Sequence, residues 1–126
     1  MSLNLTFSKT AFARMEYIVD HFPDVFNSLR ILLLQIDNNP LVGTTIADLR
    51  TKEEQGELTL MEKRVLDAVA HKNFPSQHSA HFMAIPGRAL PPPNIAVVYY
   101  HADPRIVFAV GFIPRAKKPP EISPSP

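Results

Sequence analysis

Three patterns in the 126-residue chain predict an α+β fold: a short period-two stretch at the start, two helical-period segments after it, and two apolar β-type runs near the end. Together they describe an N-terminal strand and a helical hairpin packed on a small, mainly antiparallel sheet. A further helix is inserted between the hairpin and the last strands. The length is that of one domain, assigned to residues 1–116, with an insertion at about 47–79 and a Pro-rich tail at 117–126. Hydrophobic residues make up 45% of the chain, enough for a real core without staples.

The first element is read from Leu3-Asn4-Leu5-Thr6-Phe7, where apolar and polar residues alternate. Ser8 follows as a helix N-cap. Phe12, Met15, Ile18, Val19 and Phe22 then recur at helical spacing, which predicts a helix from about Lys9 to His21. Pro23 breaks that helix and suits the first turn of a second one. Val25, Phe26, Leu29, Ile31, Leu32, Leu33 and Ile36 give the second helix a wide apolar face. Asp37-Asn38-Asn39-Pro40 ends it, with Asn able to take a left-handed cap.

Leu41 to Glu57 is polar and turn-rich and reads mostly as loop. Thr59-Leu60-Met61-Glu62 has the form of a capping box and opens a third helix, to about His71. Ala80 to Ile85 suits a strand. Pro86-Gly87 turns the chain, and Pro91-Pro92-Pro93 is a stiff extended segment that cannot sit inside a sheet. Ile95 to Tyr100 and Arg105 to Phe112 are strong strands, joined by a turn at Ala102-Asp103-Pro104, and should pair as an antiparallel hairpin. Both are apolar on both faces, which predicts cover on two sides. Tyr99 and Tyr100 point to opposite faces, so only one is expected in the core.

The chain has no cysteine, which removes disulfides and thiolate metal sites and suits the cytoplasm. Met1 to Thr10 lacks the basic start and apolar run of a signal peptide, and no apolar stretch has spanning length, so no membrane partner is expected. Net charge is +1, but its distribution is uneven. Residues 86–118 carry Arg88, Arg105, Arg115, Lys117 and Lys118 against Asp103 alone. A basic end of this kind suits a phosphate backbone or an acidic partner segment, or is simply a solvated surface.

In order and detail the chain resembles the RelE/ParE superfamily of bacterial toxins. Leu5 to Ala11 resembles the family's first strand and the start of its first helix. Asn38-Asn39-Pro40-Leu41-Val42-Gly43 resembles its helix exit, and Ile95 to Gly111 its final hairpin, with Arg115 near a late basic residue. The resemblance implies the toxin of a type II toxin–antitoxin pair, with an antitoxin protein as partner; 2′-hydroxyl cleavage requires no cofactor, and His78 and His81, three apart with no carboxylate between them, are a poor metal motif, so no metal is assigned. Its first implied activity is ribosome-dependent cleavage of mRNA. The second is non-catalytic binding of DNA gyrase, as in the ParE branch, and a third reading is a non-toxic interaction domain. Where the family's RNases carry an arginine near the start of the penultimate strand, this chain has Ala96, which tilts the resemblance towards the ParE branch.

Cleavage through the RNA 2′-hydroxyl needs a base, an acid and cations at the charged transition state. The candidate catalytic residues are Arg88, Arg115 and His81, with His78 as a second histidine that titrates near neutrality. The structural alternative for both histidines is polar surface on a strand edge. Candidate RNA-binding residues are Arg105, Lys117, Lys118 and Tyr100, the last as a stacking platform for a base. The Ala96-Val98-Tyr100 face, taken as the family's site, is too apolar for an open RNA surface. It should be covered by the inserted helix, by a second copy in a homodimer, or by a partner's helix.

Overall fold

The computed structural model describes residues 4–69, 74–86 and 94–114. Leu3, Ala70-His71, Gly87, the Pro91–Pro93 segment and the Pro-rich tail lie outside the described residues; the third helix, expected to about His71, ends at Ala68 with Val69 as its cap. The chain is α+β. Its elements are β1 (Thr6–Phe7), α1 (Lys9–His21), α2 (Pro23–Asn38), a short 3₁₀ turn (Pro40–Val42), β2 (Thr44–Thr45), α3 (Ile46–Glu54), α4 (Leu60–Ala68), β3 (Ser79–Ala84), β4 (Ile95–His101) and β5 (Ile106–Ile113).

Local chemistry places the helix starts. The Ser8 hydroxyl accepts the Ala11 N–H at 3.1 Å and opens α1. Pro23 sits in the first turn of α2, whose spacing of Val25, Leu29, Leu32, Leu33 and Ile36 buries one face completely. Asn39 is extended rather than left-handed. Its side chain accepts the Leu41 N–H at 3.2 Å and caps the 3₁₀ turn instead. The capping box of α4 is complete: Glu62 N–H reaches the Thr59 hydroxyl at 3.1 Å, and Thr59 N–H reaches the Glu62 carboxylate at 2.9 Å.

The expected loop after Leu41 is corrected. It contains β2 and a nine-residue helix, α3, whose N-cap is Thr45. Two buried residues, Ile46 and Leu49, anchor α3, and the rest of it is polar, so its apolar stripe is too thin to read as a helix. It ends in a Schellman motif. Gly56 takes φ +71°, and Gly56 and Glu57 donate to the carbonyls of Glu53 and Lys52.

The sheet runs β1-β5-β4-β3-β2. All pairings are antiparallel except β1 with β5, which is parallel, so the sheet is mixed. A bulge beside Tyr99 and Tyr100 shifts the β4–β5 register and leaves Phe108 as the extra residue. This sheet separates two cores. Ala96, Val98 and Tyr100 pack with α1 and α2, while Ile95, Val97 and Tyr99 pack with α3 and α4. The expected covering is therefore corrected in its sides. The α1–α2 hairpin covers the Ala96-Val98-Tyr100 face, and the inserted helices cover the other. Both tyrosines are core residues, at 6% and 0% exposure, because neither face of β4 meets solvent. Tyr99 also donates its hydroxyl to the Val65 carbonyl of α4 at 3.1 Å, which ties the insertion to the sheet.

Candidate functional site

Arg88, Arg115, Lys117 and Lys118 lie outside the described residues. The other three candidates, His81, Tyr100 and Arg105, converge on one place, the exit of α2. On β3, the His81 Nε2 sits 2.6 Å from the Gln35 side-chain oxygen. From the β4–β5 turn, Arg105 donates to the Asp37 carbonyl at 3.3 Å, and its guanidinium lies 3.9 Å from the Asp37 carboxylate. The same carboxylate accepts the Asn4 N–H at 2.8 Å. From β4, Tyr100 donates to the Pro40 carbonyl at 2.5 Å and accepts the Gly43 N–H at 3.0 Å.

These contacts make a clamp on the segment 35–43. A helix end leaves carbonyls without intrahelical partners, and a sharp exit needs fixing from outside. Arg105 adopts a left-handed φ of 60°, uncommon for a residue with a Cβ, and its head-group contacts to Asp37 hold it there. Gly43 is required by close approach: a Cβ would stand 2.8 Å from the Tyr100 hydroxyl and 2.9 Å from the Ala80 carbonyl. The N-P-x-x-G pattern of the exit is thus explained by packing against Tyr100.

The role of Tyr100 as a base-stacking platform is corrected. Its ring is fully buried under the helical hairpin and presents no face to a ligand. Burial also pushes its hydroxyl pKa up, only partly offset by the Gly43 N–H, so it stays protonated as a structural donor. His81 is half-buried, and burial lowers its pKa below the ordinary histidine value. Its neutral ring is already engaged with Gln35.

The second histidine sits in a different environment. His78 is 8% exposed, not on polar surface. Its ring stacks on Phe108 at 4.4 Å and meets Phe74 and His101 edge-on at 5.7 and 5.8 Å. Its Nδ1 is enclosed without a hydrogen-bond partner. Burial first, and the neighbouring His101 second, lower its pKa. The pairing of His78 with His101 is not legible in sequence, because it joins residues 78 and 101 through the fold.

Among the described residues, then, no histidine stands with free cations at an open sheet face. The arrangement holds an α-helix exit and closes a sheet between two helical layers. No protein-family model, no curated protein and no solved structure matches this chain.

Proposed function

We propose that this chain is the toxin component of a type II toxin–antitoxin pair and acts by binding a macromolecular target, not by cutting mRNA. This is the ParE-like reading, with DNA gyrase as the target and an antitoxin protein as the partner. Its support is the order of elements, a strand and helical hairpin followed by an insertion and a three-strand meander, together with the packed exit at Asn39-Pro40-Leu41-Val42-Gly43. The observation that carries the choice of binding over cleavage is the cover on both faces of β4. A nuclease of this design needs a sheet face on which a base, an acid and cations meet the RNA. Here one face is under α1 and α2 and the other under α3 and α4.

Induced expression in a bacterial host, followed by mapping of mRNA 5′ ends and a supercoiling assay with purified gyrase, tests the reading. Growth arrest with an unchanged set of mRNA ends and inhibited supercoiling is expected. New mRNA ends that vanish in Arg88→Ala and Arg115→Ala would replace it with the nuclease reading. No arrest at all would leave an interaction domain without toxicity.

A further inference from the structure

Among the described residues the sheet leaves two strand edges partly unpaired, that of β3 beyond Ala80 and the longer one of β5. β1 pairs only with Ile106 and Val107, and β5 continues to Ile113. Pairing stops at Ser8, which donates its N–H to the Val107 carbonyl and its hydroxyl to the Phe108 carbonyl before the chain turns into α1. Beyond that point a groove of about 280 Å³ touches all five consecutive residues from Ala109 to Ile113. Val97 and Tyr99 of β4, paired with Gly111 and Ala109, also line it, so the groove spreads from the sheet face onto the strand beside its free edge. Thr10 and Arg14 of α1 form one wall and Ala68 of α4 the other. Ala109 and Gly111 keep the floor shallow enough for another backbone to approach.

Among the described residues the groove has one charged side chain, Arg14. The Arg14 guanidinium lies over the Tyr17 ring at 5.5 Å and leans towards the strand, with its Nε 4.0 Å from where a Cβ on Gly111 would be. Among the described residues no carboxylate pairs with it. An unpaired edge, a small-residue floor and an unneutralised guanidinium define the chemistry of the occupant.

We propose that the outer edge of β5 is a strand-addition site for an extended acidic segment of a partner protein. The segment's backbone pairs along Ala109–Ile113, its small or apolar side chains lie over Ala109 and Gly111, and one carboxylate meets Arg14. Five paired residues span about 17 Å. This rests on the binding reading only in taking the partner to be a protein.

The probe is an acetylated, amidated octapeptide of alternating valine and threonine with one central glutamate, titrated into the full chain. A lysine version serves as its counterpart. Saturable binding of the glutamate peptide is expected, with slowed amide exchange along 109–113. Binding should fall at least ten-fold for the lysine peptide and for Arg14→Glu, and the lysine peptide should regain it on Arg14→Glu. Arg14 is exposed, so an unchanged circular dichroism spectrum of the variant is the fold control. No saturable binding, equal binding of both peptides, or exchange along 109–113 already slow without peptide would each overturn the proposal. Growth arrest without peptide binding removes this site and keeps the toxin reading, while peptide binding without arrest does the reverse.

Discussion

At the residue scale, Tyr100 is the contact on which the α2 exit depends. Its hydroxyl serves the Pro40 carbonyl and the Gly43 N–H at once. Tyr100→Phe keeps the ring and leaves both groups without a partner, so it should cost about 1–3 kcal/mol in urea denaturation. Gly43→Ala should cost a similar amount, about 1–3 kcal/mol, because the new methyl meets the hydroxyl and a backbone carbonyl that cannot both move. His78 gives the pH dependence. Its folded pKa lies below the ordinary 6.5 because burial and His101 oppose its charge. The unfolded chain therefore binds the proton more readily than the folded one. Stability is complete above pH about 6.5 and falls as the solution is acidified towards the folded pKa. His81, lowered by burial, adds in the same direction. Replacing His78 with Phe should flatten the dependence of the thermal midpoint on pH between about 7 and 5, and an unchanged slope would assign it elsewhere. None of these partners was legible in the sequence. A tyrosine in a strand looks the same whether it faces a ligand or a helix exit 57 residues earlier.

Elements read more easily than contacts wherever their signals are local. α1 was placed by Ser8 and the spacing of its apolar residues, and α4 by Thr59 and Glu62, because caps and periodicity are properties of a few neighbouring residues. α3 is not legible in the sequence because burial of only Ile46 and Leu49 gives it no readable stripe. The signals that could have found it were the Thr45–Asp48 cap and Gly56 after Gln55. The parallel pairing of β1 escaped for another reason: it joins residues about a hundred positions apart, and a two-residue strand carries no register information. The α4 start should be sensitive to its cap. Thr59→Ala should destabilise by about 0.5–2 kcal/mol, read as a lower denaturation midpoint. Around Glu62, burial opposes ionisation, but Lys52 at 2.5 Å and the Thr59 N–H outweigh it and hold the carboxyl below its usual range. Glu62→Gln should therefore weaken the α3–α4 contact as well as the cap, and should lower the midpoint at neutral pH more than Lys63→Gln, whose own pair with Asp67 is solvent-exposed on both sides.

Taken whole, the molecule is a mixed five-stranded sheet closed between two helical layers. The apolar runs at Ile95–His101 and Ile106–Ile113 foretold a sheet covered twice, and the doubly covered strand is β4. Which helices covered which face was not legible, since the alternation of β4 gives two equivalent apolar faces and nothing in the sequence ranks them. That arrangement has a functional consequence. With both faces enclosed, partners are left the edges and helix surfaces, and the unpaired edge of β5 beside Arg14 offers backbone groups and a charge together. No helix among the described residues is long and apolar enough to cross a membrane.

The binding account is tested most directly by mapping mRNA 5′ ends in a bacterial host after induction of the intact chain, alongside growth. It predicts arrest with the same ends as the uninduced culture. New ends appearing within the arrest period, lost again in Arg115→Ala, would contradict it.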